Sequence, residues 1–465
     1  MSTFRFLSDY TELWFEHRRL LVKILVVSVV IATGAILVPQ MFLGNRFPAL
    51  LFLGVLGLIV LVVFLRWPVL GLIAIILGGM VVPFVGPSSV NASVAGVALM
   101  LGVWLLKMMM EQRKIKLAAS RTTVPLFIFI VISIFAFIIG QLPWYVYAQH
   151  APLATQIGGF SIFLLSAGAF LLVAHLVTDL RWLQALTWIF IGLGGVYVLG
   201  RLVPGGFTDR IFHIGFSAGS MFWTWLAALT FSQAVFNRRL HLRWRFVLIG
   251  ILLATLYVAF VQAYDWKSGW LPPLAAIAAI LAFRYWRSAF LLIPFVVVPI
   301  YSLANRLIGT DLYSWGTRVD AWIIVLNIVK ASPILGLGFA NYYWITPLFP
   351  IRGYEIKFNS HNQYIDILAQ TGLAGLICFF WFFWEVGRVG WNLRERVPEG
   401  FAQAYVYGAL GGLVGTLVAA TLVDWVLPFV YNIGFSGFRA SVLAWIFLGG
   451  LVSLEQIFLV QPKNE

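Results

Sequence analysis

The stretch KFNSHNQYIDILAQTGLAG, from Lys357 to Gly375, sets His361 beside Asn362, Gln363 and Tyr364 in a chain that is 62% hydrophobic. A neutral imidazole can take a proton from a hydroxyl. A helix N-terminus favours the neutral ring and can also hold an anion on its free amide N–H groups. Ser360 followed by Gln363 reads as a capping box and Gly372 as a stop, so a short helix over 361–371 with His361 as its first residue is expected. Four arginines share the same class of loop: Arg201, Arg210, Arg318 and Arg352. Guanidinium binds phosphate in a fork and never loses its proton, so the set points to an anionic ligand. The plain alternative for each is a lipid headgroup contact or an ion pair, for instance with Asp209 or Asp320. His213, three residues after Arg210, is a second candidate beside that ligand. No pair of histidines or carboxylates stands at metal-ligand spacing, so metal-free chemistry without a cofactor is expected.

These side chains must be positioned by membrane helices. Only 10% of the 465 residues are charged, and the mean hydropathy is +0.95. A soluble domain does not have this composition. The first 19 residues carry charges and lack an apolar core with a cleavage site, so they do not read as a cleaved signal. With about 20 apolar residues per span, the candidates are roughly 20–38, 48–65, 67–85, 92–109, 124–142, 157–177, 182–202, 215–236, 246–264, 269–283, 288–305, 372–388, 402–424 and 438–459. The expectation is an all-α integral membrane protein of about 12–14 spans. Its three parts are an N-terminal bundle over 1–305, an outer-face loop over 306–371 and C-terminal helices over 372–465. The net charge of +14 reads as basic loops held on the cytoplasmic side rather than as a nucleic-acid surface. Alternate loops hold Arg18, Arg19; Arg66; Arg113, Lys114, Lys116; Arg181; Arg238, Arg239, Arg243, Arg245; Arg284, Arg287; Arg388, Arg394, Arg396; and Lys463. That places both termini in the cytoplasm and the arginines of the first paragraph on the outer face.

A connection as long as 306–371 carries function or its own structure. Within it GTRVDAWIIVLNIVKASP reads as an interfacial helix with Thr317 as N-cap and Pro333 as stop. Arg318 would then sit in its first turn, an unfavourable end for a cation. GLGFAN lacks the third glycine and the βαβ setting of a dinucleotide fingerprint. Its glycines read as a tight turn close to other backbone or to ligand. Cys378, the single cysteine, stands in an apolar run and reads as a small buried residue.

Arg318 and Trp322, then Pro333 and Gly336-Leu-Gly338, then His361-Asn362-Gln363-Tyr364 and Gly372-Leu-Ala-Gly375, resemble the signature of the O-antigen ligase and polymerase family. TDRIFHIGFSAGS and DWKSGW resemble its earlier, looser blocks, so the likeness runs over roughly 200–390. The resemblance implies a polytopic glycosyltransferase of C-type architecture in a bacterial cytoplasmic membrane. Such an enzyme takes a glycan from a polyprenyl pyrophosphate carrier, typically undecaprenyl, and passes it to a hydroxyl of a glycan, lipid or protein acceptor. Matched by position, Arg318 and His361 fall on the family's functional arginine and histidine, and Arg210 on an earlier arginine. That block has GFSAGSM where the family often has Pro-Asn. In this scheme Arg210 and Arg318 neutralise the leaving pyrophosphate, His361 takes the acceptor proton, and attack from the opposite face inverts the anomeric carbon. Asn362, Tyr364 and Trp322 could orient sugar; helix capping and interface anchoring are their plain alternatives.

A transporter or lipid flippase is the competing class. It would carry ionisable groups inside spans or paired broken helices, whereas Lys23, Glu385 and Glu455 lie near span ends. A rod-shape-type cell-wall polymerase would rely on an outer-loop acid, for which Asp311, Asp320 and Glu355 are available.

Overall fold

The computed structural model describes residues 46–460 except 84, 87–88, 113–116, 204, 207, 213, 264–265, 286 and 288–311. The chain divides into two compact units, 1–68 and 69–465. The first contributes helix α1 (Arg46–Arg66). The second contains α2 (Pro68–Met80) from Val69 onward, α3 (Ala92–Lys107), α4 (Thr123–Ile139), α5 (Leu153–Leu176), α6 (Leu180–Gly200) and the single turn α7 (Thr208–Ile211). It continues with α8 (Ser220–Phe236), α9 (Leu242–Tyr257), α10 (Lys267–Arg284), α11 (Leu312–Val329), α12 (Asn341–Ile345), α13 (Gln363–Leu393), α14 (Phe401–Leu422) and α15 (Gly434–Glu455). The described residues form no sheet, only two isolated bridges. The protein is an all-α integral membrane protein. Seven described helices are long and apolar enough to cross a bilayer, and four shorter ones are apolar. The expected spans 20–38 and 288–305 lie outside the described residues.

Polar side chains at the ends set where several helices begin. Asn91 accepts from the amides of Ser93 and Val94 at the start of α3, and Asp179 accepts from that of Arg181 at the start of α6. Each satisfies amides that no preceding turn can bond. Glycines let the inner helices approach closely, as in membrane bundles generally. A Cβ at Gly411 of α14 would lie 2.3 Å from Ile280 of α10, and one at Gly449 of α15 would lie 2.6 Å from the Phe170 carbonyl of α5. Around these contacts Trp225, Phe222, Phe190 and Phe447 form a buried aromatic core.

Two sequence expectations about the loop helices need correction. α11 begins by Leu312, not at Thr317, so Arg318 is the seventh described residue rather than a first-turn cation. Thr317 does not cap, because its hydroxyl donates to the Tyr313 carbonyl one turn back (2.8 Å), a use of threonine inside helices. The second correction concerns α13, which begins at Gln363 with Asn362 as N-cap. His361 precedes the helix with φ +48°. The expected stop at Gly372 is present: its φ of 69° and ψ of −172° break α13 into 363–371 and a longer second segment. GLG is the close turn expected. Gly336 and Gly338 have positive φ, and the Leu337 and Gly338 amides donate to the Ala369 and Gln370 carbonyls. Beyond the break, Leu373 and Ala374 donate to the Pro333 and Ile334 carbonyls. The turn therefore satisfies both broken helix ends.

Candidate active site

Residues 359–362 form a buried turn fastened from three sides. The Trp322 indole N–H of α11 donates to the Ser360 carbonyl (2.8 Å). The Ser360 hydroxyl donates to Asp366 Oδ1 (2.8 Å) and accepts from the Asn362 amide (3.1 Å). The Tyr342 hydroxyl of α12 donates to the same Asp366 oxygen. Burial, and then the neighbouring Asp366 carboxyl, push the Tyr342 hydroxyl pKa well up, so it remains a donor. Asn362 accepts from the Tyr364 and Ile365 amides and donates to the Thr421 carbonyl (3.1 Å). Gln363 does not close a capping box. Its side chain accepts from the Val426 and Leu427 amides and donates to the Leu427 carbonyl, clamping the loop after α14. Asp424 stiffens that loop by accepting from the Phe429 amide and Asn432. Burial raises its pKa to about 6.

Held this way, His361 is half-buried and projects into a cavity of about 360 Å³ that Arg318, Tyr313, Thr317, Phe358 and Asn359 also line. The histidine pKa is lowered, first by burial and then by the positive charge of Arg318. Both effects disfavour the imidazolium and leave a ring able to accept a proton. The Arg318 guanidinium donates to the Leu422 carbonyl at the end of α14 (2.9 Å), where a helix favours a cation. The cavity thus sets an imidazole able to accept a proton beside a fixed cation, a pairing suited to transfer of a group from an anionic carrier to a hydroxyl.

The structure brings together some of the expected residues and separates others. Arg318 and His361 share the cavity; Trp322 and Asn362 build the turn that carries the histidine. Tyr364 is used in packing: its hydroxyl donates to the Leu417 carbonyl (2.7 Å) and its ring stacks on Phe380. Arg352 pairs with Asp320 (2.8 Å) and lies over the Tyr313 ring at the cavity wall. The ion pair expected of Asp320 is therefore made, with Arg352. Arg201 is exposed at the end of α6 and Arg210 is exposed on α7; neither lines the cavity. His213 lies outside the described residues. Sequence reasoning passed over Asn359, which stands in the quoted stretch two residues before His361. Its buried Nδ2 has no hydrogen-bond partner among the described residues and belongs to a cavity-lining side chain. It also missed Asp366 and Asp424, and it gave Gln363 a local capping role, whereas that side chain bonds Val426 and Leu427, 63 and 64 residues on.

Residues 214–380 match a family model described as O-antigen ligase. The matched stretch includes Arg318, Trp322, Arg352, His361, Asn362 and Tyr364, and leaves out Arg201, Arg210 and His213. A search of curated proteins finds no match to the chain.

Proposed function

We propose that this membrane protein, whose residues 214–380 match a family model described as O-antigen ligase, transfers a glycan from a polyprenyl pyrophosphate to an acceptor hydroxyl at the outer face of a bacterial cytoplasmic membrane. One observation carries the reading: Arg318 and His361 line the same cavity, and the cation helps to hold the histidine neutral. In the proposed step the acceptor oxygen bonds to the anomeric carbon while its proton passes to the His361 ring. The bond from that carbon to the pyrophosphate oxygen breaks, and the charge left on the pyrophosphate is met by Arg318. Attack opposite the leaving group inverts the anomeric carbon. Asn359, whose Nδ2 has no hydrogen-bond partner among the described residues, would donate to sugar or phosphate. Arg210 enters this scheme through the sequence resemblance alone.

The test is glycan transfer by purified protein with a polyprenyl-pyrophosphate glycan, in the presence of EDTA. The variants are Arg318→Ala and His361→Asn. Asparagine tolerates the left-handed backbone at position 361 and cannot act as the base. Transfer by wild type that persists in EDTA and falls about a hundredfold in each folded variant is expected. Two variants with wild-type rates would overturn the assigned site. Loss of wild-type transfer in EDTA would overturn the metal-free step.

A further inference from the structure

A second cavity, of about 340 Å³, lies between α6 and α9, away from the proposed active site. Its walls are apolar and include Trp188, Gly192, Leu240, Trp244, Val247 and Ile251. The two helices touch where a Cβ on Gly195 would come within 2.6 Å of Ile251. From that point the cavity runs past Gly192 to Trp188 on α6 and to Trp244 and Leu240 at the start of α9. Gly192 leaves its floor open, since a Cβ there would meet nothing within 4 Å.

Toward its start each of these helices carries an arginine. Arg181 stands two turns before Trp188 on the same face of α6, and Arg243 one turn before Val247 on the same face of α9. Both side chains are exposed, and neither takes part in an ion pair among the described residues. Their neighbour Arg245 is committed, donating to the Ala234 and Val235 carbonyls. An apolar slot flanked by two tryptophans suits an acyl chain at a membrane interface, where such rings gather. Two arginines toward the starts of its helices attract an anionic headgroup.

We propose that this crevice binds one anionic phospholipid, with an acyl chain between Trp188 and Trp244 and the phosphate between Arg181 and Arg243. The site is independent of the glycan-transfer reading, because no residue is shared between the two. It would tie the α6–α9 pair to the leaflet on the arginine-rich side.

The full chain is reconstituted in nanodiscs of equal phosphatidylglycerol and phosphatidylcholine, and the lipids it retains are counted by native mass spectrometry. Wild type is expected to keep one lipid, with about a tenfold preference for phosphatidylglycerol. The double variant Arg181→Gln/Arg243→Gln alters only exposed side chains; it should keep a lipid and lose the preference. Gly192→Leu fills open space, so the chain should fold and retain neither lipid. Equal retention of both lipids by wild type overturns the proposal, as does a double variant that keeps the wild-type preference. Undiminished lipid in Gly192→Leu also overturns it. A mass equal to two chains that vanishes in Gly192→Leu would make a second copy the occupant and likewise overturn it.

Discussion

At the residue scale, the proposed chemistry depends on the charge state of His361. Burial and Arg318 both lower its pKa from the ordinary 6.5. A base must be unprotonated, so activity should fall on the acid side, at a pH below 6.5. Removing the Arg318 charge removes the second cause. Arg318→Gln should therefore move the acid limb of the transfer rate to higher pH as well as lowering the plateau. A pH–rate profile of the two proteins checks this; an unmoved limb would mean that another group titrates. The stability sign runs the same way. A histidine whose folded pKa lies below its unfolded one contributes fully above the unfolded value, and this contribution is lost as pH falls through the folded one. The individual candidates were legible because their chemistry is local: a histidine in a polar run and arginines in loops poor in basic residues. Their partners were not. Nothing within the sequence around Tyr364 says that its hydroxyl would find the Leu417 carbonyl, and Arg352 could be matched to Asp320 only once α11 was placed.

At the scale of elements, the break in α13 organises the site. The 363–371 segment carries the histidine turn, and α13 as a whole is long and apolar enough to cross the membrane. Gly372 has φ +69°, and a Cβ there would lie 2.2 Å from the Ile334 carbonyl oxygen. Alanine would meet backbone strain of about 1–3 kcal/mol and an overpacking cost of similar size. Gly372→Ala should therefore lower thermal stability clearly, with transfer lost as the 333–338 turn shifts. A thermal melt in detergent that matches wild type would show that the break tolerates a side chain. This stop was readable from a glycine at the end of a helical run. The start was not, because Ser360 and Asn362 are both good N-caps. Tertiary demand decided between them: Ser360 is taken by Asp366 and Asn362, while Gln363 is drawn to the loop after α14. Thr317 failed as a cap for a similar reason, since α11 was already under way.

At the scale of the whole molecule, composition made the membrane class plain, and charge alternation gave an orientation to test. The positive-inside argument treats an arginine away from the basic face as one that needs a reason, and the reason can be structural. Arg439 on α15 is almost fully buried, with Nη1 donating to the Gly78 and Gly79 carbonyls in the last turn of α2 and to the Val82 carbonyl just beyond it. An arginine so used is invisible to span counting, because its partners lie more than three hundred residues away. The proposed orientation places the loop between α11 and α13 outside the cell and the turn between α13 and α14 inside. The single cysteine, Cys378, is buried, so labels introduced elsewhere are read against a low background. Tyr354 is 65% exposed and the Glu395 side chain 72% exposed, one on each side of α13. In intact cells a membrane-impermeant maleimide should label Tyr354→Cys at once and Glu395→Cys only after permeabilisation. The reverse pattern would turn the protein over and put the cavity on the cytoplasmic side, where the proposed carrier-linked donor would have to be presented differently. Labelling of both from outside would mean that α13 does not cross, and the spans on either side would have to be counted again.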